Sequence, residues 1–170
     1  TQGIPYIVRD IEHITSFLDY GRAGGESSAY KQLIRNRQQN DGAVYYTALD
    51  SINKVNGATN RYYFTSEFYV DVLNTGAYSD TSSGNANSLA LLFCYQDFEF
   101  FTAGDLTTGS ETSLLRNETL PQVSLYKASH HGSHGSNSQA LMDTLNPYMV
   151  AIAASRAGAY NKNPGPPNPD

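Results

Sequence analysis

Two apolar runs held apart by a single dipeptide constrain this chain more than any other feature. Residues 88–95 and 98–102 flank Gln96-Asp97, a spacing that predicts two strands joined by a tight hairpin. Gly104-Asp105 closes the second run. Residues 122–127 read as a further strand running into Ser129-His130-His131-Gly132-Ser133. Short helices are expected over 110–116, capped by Ser110 or Thr112, and over 138–145, just before Asn146-Pro147. Residues 148–154 make a last, apolar strand.

The upstream part is patterned differently. Residues 4–8 and 11–18 are rich in β-formers, and Asp19-Tyr20-Gly21 ends the second run. A Gly/Ser loop over 22–28 leads into a predicted helix over 27–39, with Ser27 or Ser28 as cap and Tyr30, Leu33 and Ile34 as its apolar stripe. From 43 to 72 the period is two, giving strands over 43–49, 62–65 and 68–73 around the turn residues Asn56-Gly57 and Asn60. Residues 76–87 form a polar loop. Strands first, then strands alternating with short helices, predict an α/β fold with helices outside a sheet or sandwich. The expected domain covers 1–160. The tail 161–170 carries four prolines, which neither a helix nor a sheet core accommodates.

Composition narrows the function classes. A formal charge of -5 argues against a general phosphate-binding surface, because nonspecific nucleic-acid affinity comes from clustered Lys and Arg. The single cysteine, Cys94, excludes an intramolecular disulfide and reads as a buried small hydrophobe. No apolar run approaches the roughly 20 residues of a membrane span. A vocabulary of Tyr, Asn, Ser, Thr and Gly with few Lys leans towards an extracytoplasmic or secreted protein.

Of the four histidines, His130, His131 and His134 fall within five residues, at the end of a predicted strand. Neutral imidazole is the commonest metal ligand, and Gly132 and Gly135 permit unusual backbone angles around an ion. The alternative is a solvated His/Gly/Ser loop. Asp105 stands at the end of the preceding strand, where a carboxylate either completes a His/His/Asp shell or caps a turn. Together, Asp105, His130 and His131 are the candidate metal ligands and catalytic residues. Asn87 and Ser88 are expected to position the loop by side-chain hydrogen bonds. His134 would contact substrate or support a ligand, and Lys127 would either assist a phosphate or be solvated.

These residues carry a resemblance. The order Asn87-Ser88-Leu89-Ala90-Leu91-Leu92, Tyr95, Asp97-Phe98 and Thr102-Ala103-Gly104-Asp105-Leu106 resembles the metallo-β-lactamase superfamily, in the branch typified by the competence protein ComEC. It continues through Glu111, Leu114-Leu115, Lys127, His130-His131-Gly132-Ser133, Ser136, Ser138, Leu141 and Leu145-Asn146-Pro147, covering roughly 71–155. The resemblance implies an αββα sandwich holding one or two divalent metals, zinc or manganese. It also implies hydrolysis by metal-activated water of a small-molecule or phosphodiester substrate, single-stranded DNA included.

Two departures accompany it. The motif His-x-His-x-Asp-His occurs nowhere; Asp10-Ile11-Glu12-His13-Ile14 is the nearest approach and reads better as a strand. Where the branch has Gly-His-Pro-His-Pro, this chain has Gly165-Pro166-Pro167-Asn168-Pro169, and Pro166 has no side-chain donor. The sandwich is therefore expected to be incomplete, with apolar sheet and strand edges exposed. Either the first motif lies elsewhere, as in the C-terminal portion of a larger domain, or the chain is a degenerate relative. The first predicts a phosphodiesterase or nuclease. The second predicts an inactive module binding carbohydrate, peptide or a partner protein through Tyr45, Tyr46, Tyr62, Tyr63 and Tyr69. Those tyrosines read equally as half-buried strand positions.

Overall fold

A computed structural model describes residues 8–21, 28–78 and 84–153. Residues 22–27 of the expected loop at 22–28, the tail at 161–170 and Pro166 lie outside these residues, as does most of the run at 4–8. The described chain is mixed α/β. Strands β1 (Ser16–Asp19) and β2 (Val44–Thr47) pair in parallel across helix α1 (Ser28–Asp41). A short helix α2 (Ala48–Asn53) follows. Strands β3 (Arg61–Tyr63), β4 (Phe68–Val72), β5 (Leu91–Tyr95) and β6 (Phe98–Thr102) then run antiparallel to one another. Helix α3 (Thr108–Asn117) leads to β7 (Leu125–Lys127), and helix α4 (Gln139–Leu145) leads to β8 (Met149–Ala151). Strands β6, β7 and β8 are parallel, so the larger sheet is mixed, in the order β3-β4-β5-β6-β7-β8.

Side-chain alternation explains the layers. Leu92 and Cys94 of β5, Phe101 of β6 and Tyr126 of β7 point to one face, where Leu114 of α3 and Leu141 and Leu145 of α4 cover them. Phe101, Tyr126, Leu114, Leu141 and Leu145 are fully buried. On the opposite face Val72 and Leu91 pack with Leu18, Tyr20, Ala48, Ile52, Tyr62 and Tyr78. The small sheet thus lies against the large one, and α1 lies on its far side, where the Tyr30 hydroxyl donates to Asp19. Helix, sheet, small sheet and helix follow in that order. The small sheet leaves part of the large one uncovered: Tyr95 and Phe98 are about half exposed, and Tyr148, Met149, Val150 and Ile152 line an exposed edge around β8.

Several expectations shift. The β-rich run at 11–18 is a strand only from Ser16, and residues 8–10 are helical. The Ile14 amide instead donates to the Asp41 carboxylate, which closes α1. The expected strand at 43–49 stops at Thr47, because Thr47-Ala48-Leu49-Asp50 is a capping box that starts α2. The Asp50 amide donates to the Thr47 hydroxyl oxygen at 3.0 Å and the Thr47 amide returns a bond to the Asp50 carboxylate at 3.2 Å. Helix α3 begins at Thr108 with Thr107 as cap residue, earlier than Ser110 or Thr112 would start it. Ser138 does cap α4, accepting from the Leu141 amide. The hairpin turns at Gln96-Asp97, with Gln96 at φ +51°. Cys94 is buried, and burial pushes its thiol up. Four of the five strand tyrosines are half-buried; only Tyr63 is exposed. Among the described residues no helix is long and apolar enough to cross a membrane.

The capping box gives a test with a defined pH signature. The Thr47 hydroxyl holds the Asp50 carboxyl below its ordinary value. A depressed carboxyl stabilises the fold above its unfolded pKa of about 3.9, and the contribution is lost as pH falls through the folded value. Thr47→Ala is expected to cost about 1 kcal/mol at pH 7. In urea denaturation the gap between wild type and variant should narrow as pH drops below about 4.

Candidate functional site

The parallel strands β6, β7 and β8 all point their C-terminal ends the same way, so the loops that follow them meet at one end of the sheet. In open α/β sheets this is where ligands bind. After β6 the chain turns at Ala103-Gly104, with the Leu106 amide returning to the Ala103 carbonyl, and delivers Asp105. The Asp105 amide donates to the Ser88 hydroxyl at 3.0 Å. Gly104 sits at φ +55°, and a Cβ there would lie 3.0 Å from the Ser88 oxygen. Glycine is therefore favoured on two counts: the backbone angle is left-handed, and a Cβ would make a tight contact that the Ser88 side chain must relieve.

After β7 come Ala128 and a kinked turn, Ser129–Gly132, whose two central residues are not helical. The His130 amide donates to the Gly104 carbonyl at 3.0 Å, which docks the histidine loop onto the Asp105 loop. Two more bonds tie the same loops: the Ser136 hydroxyl to the Leu106 carbonyl at 2.6 Å, and the Thr108 amide to the Gly135 carbonyl at 2.8 Å. The expected unusual backbone angles are present at Gly132, with φ +79°. Gly135 has no such angle among the positive-φ residues; the histidines themselves carry the strain. His130 stands at φ 48°, ψ 41° and His131 at φ 59°, ψ 23°. Two consecutive β-carbon-bearing residues in the left-handed region cost on the order of 1–3 kcal/mol each, and such strain clusters at functional sites.

One imidazole has a defined orientation. His131 Nδ1 lies 2.8 Å from the Ala153 carbonyl, just beyond β8. A carbonyl only accepts, so Nδ1 carries the hydrogen, and in the neutral ring the lone pair that a metal needs is on Nε2. His131 is exposed and His130 half-buried, with ring centroids 6.4 Å apart and planes tilted by 57°. Asp105 is half-buried. His134 is exposed and lines an open cavity of roughly 400 Å³ with Ser133, Asn137, Tyr126, Met142 and Val150. Lys127 is half-buried on β7, level with Thr102.

The fit to a metal ion is partial. Donor types and the His131 tautomer suit a borderline divalent ion. Yet among the described residues no three His, Cys, Asp or Glu side chains converge into a ligand set, so the expected shell of Asp105, His130 and His131 is not assembled. Ser88 positions the Asp105 loop as expected. For Asn87 both polar atoms of the amide are buried without a hydrogen-bond partner among the described residues.

Other residues organise the site without being ligand types. Glu111, fully buried in α3, accepts from the Asn137 amide at 2.6 Å and the Ser138 amide at 2.8 Å. Tyr126 is also fully buried, and burial raises its phenol. Sequence reading places Glu111 within the resemblance without assigning it a task; no periodicity in Thr108–Asn117 singles it out, since its buried face also carries Ser110.

Compared with protein-family models and with curated proteins, the chain matches none.

The preference for glycine at this position is directly testable. Gly104→Ala is expected to lower stability by more than 1 kcal/mol, read as a shifted denaturant midpoint with unchanged slope. Wild-type stability in that variant would show that the Ser88 contact yields freely.

Proposed function

We propose that this chain carries part of the metal site of a hydrolase of the metallo-β-lactamase superfamily, ComEC-like branch, acting on phosphodiesters. The observation that carries the reading is the bond from the His130 amide to the Gly104 carbonyl. It brings the two motif loops, Gly104-Asp105 and His130-His131, side by side at the ends of adjacent parallel strands. The helix–sheet–sheet–helix layering supports the αββα sandwich expected of that superfamily. Asp105, His130 and His131 would hold zinc or manganese, with further donors needed to complete the shell. The chemistry such an ion supplies when bound is Lewis-acid polarisation and acidification of water.

The chain's own residues have separate tasks. His131 presents Nε2 as donor because Nδ1 is committed to Ala153. His134, on the rim of the cavity, is placed to contact substrate, and Lys127 is the cation of the site region offered to a phosphate. The cavity lining contains no Lys or Arg among the described residues, so a single-stranded DNA substrate would be held by few contacts rather than by a basic surface. An extracytoplasmic location remains part of the proposal and rests on composition.

A second reading has its own observation. Three ligand side chains do not converge among the described residues, which favours an inactive module that binds carbohydrate, peptide or a partner protein. The tyrosines offer it little: Tyr45 donates to Asp19, Tyr62 meets Ser51, and Tyr69 lies under the Arg61 guanidinium. Of those five tyrosines only Tyr63 is exposed, beside the exposed Phe64.

Elemental analysis of purified protein, with turnover of bis-p-nitrophenyl phosphate and a single-stranded oligonucleotide, separates the two. The hydrolase reading expects bound zinc or manganese, and a loss of at least about 100-fold in kcat/KM in Asp105→Ala. Activity that survives in Asp105→Ala, or a wild-type protein with neither metal nor turnover, overturns it.

A further inference from the structure

The two strained histidines need something to hold them, and neither is a residue that chooses the left-handed region unaided. Successive left-handed residues persist only where their surroundings over-determine them. Here the His130 amide is held by the Gly104 carbonyl and the His131 ring by the Ala153 carbonyl, and one further side chain grips the flanking backbone. The Asn137 amide oxygen accepts from the Ser129 amide at 2.9 Å and from the Tyr126 hydroxyl at 2.7 Å. Its amide nitrogen donates to the Ser129 carbonyl at 3.1 Å and to the Ser133 carbonyl at 3.4 Å. Ser129 immediately precedes the histidine pair and Ser133 follows it closely, so Asn137 grips the backbone on both sides.

We infer that Asn137 is a positioning residue, a polar staple that fixes the backbone of His130 and His131, and that Glu111 is its buried anchor. The functional part of this rests on the hydrolase reading; the mechanical part does not. The residue type is dictated by the bonds. The side chain accepts two hydrogen bonds and donates two, and among short side chains the amide does this where a hydroxyl, with a single hydrogen, cannot donate both. Asn137 itself stands at φ +64°, where asparagine is tolerated better than most residues.

Glu111 keeps the staple in place. Its two carboxylate oxygens accept from the Asn137 and Ser138 amides, which are backbone donors at the entrance to α4. Because Glu111 belongs to α3 and is wholly buried, the loop between Ser133 and Ser138 is referenced to the helix that follows Asp105. The two motif loops are therefore joined directly, through the Gly104–His130, Leu106–Ser136 and Thr108–Gly135 bonds, and indirectly through α3, Glu111 and Asn137.

The test uses Asn137→Gly, which keeps the backbone angle accessible and removes only the staple, with Glu111→Gln as the second variant. Amide hydrogen exchange is followed at Ser129 and His130 against Phe101 and Tyr126 in the central strands, and binding of Zn²⁺ alone is measured by calorimetry. The expectation is a loss of protection at Ser129 and His130 at least about tenfold greater than at Phe101 and Tyr126. Zinc affinity should fall by about 10–100-fold in Asn137→Gly. Protection that is unchanged, or that falls uniformly over the sheet, overturns the inference, as does loss of the fold in both variants. A wild-type protein that binds neither Zn²⁺ nor Mn²⁺ and shows no turnover sinks the hydrolase reading instead, and the exchange comparison still decides the staple.

Discussion

Phe101 and Tyr126 pack ring against ring at 5.7 Å where β6 meets β7 in parallel, and neither has any exposed surface. That contact fixes the junction at which the sheet changes from antiparallel to parallel. A parallel pair needs a crossover, and a crossover helix must cover the face it leaves. Helix α3 does so with Leu114 and, from the same buried side, supplies Glu111. The junction also sets strand ends level with one another, so the residues after Thr102 and after Lys127 emerge as neighbours. The geometry around Asp105 and His130 follows from this pairing more than from any preference of the loops.

The part of the chain that was legible in sequence is the part where local pattern and tertiary environment agree. The hairpin across Gln96-Asp97 was readable because two apolar runs bracket a dipeptide and both runs are central strands. Helix α4 was readable because Ser138 is both a good cap and the residue that caps. Helix α2 was not, since Val44-Tyr45-Tyr46-Thr47 has strong β preference and the alternation runs on past its true end. The correction lay in Thr47 and Asp50, a cap signal outweighed by the period-two pattern. In the same way Ile11 and Ile14 belong to a β-rich run, yet Asp41, distant in sequence, takes the Ile14 amide.

The candidate site was half legible for a different reason. Ligand types announce themselves by chemistry, so Asp105 and the histidines stand out. What holds them does not. Glycine was the natural suspect for backbone strain around His130-His131, and the strain is on the histidines, compensated by an asparagine further along the loop. A side chain whose role is to satisfy backbone groups leaves no composition signal and no periodicity; only the three-dimensional hydrogen-bond pattern reveals it. Asn87 is the converse case. It sits in the motif and would be expected to bond, but both atoms of its amide are buried and unpartnered among the described residues.

The bond between His131 and the Ala153 carbonyl has a consequence for strand registration. Ala153 lies just beyond β8, whose alignment on β7 runs from Leu125 opposite Met149 to Lys127 opposite Ala151. Sliding β8 by one residue would exchange the faces of Val150 and its neighbours and present a carbonyl of opposite direction to the imidazole. Nδ1 would then lose its acceptor, and the lone pair would no longer be confined to Nε2. The proton on one ring is thus a report of how the last strand is aligned.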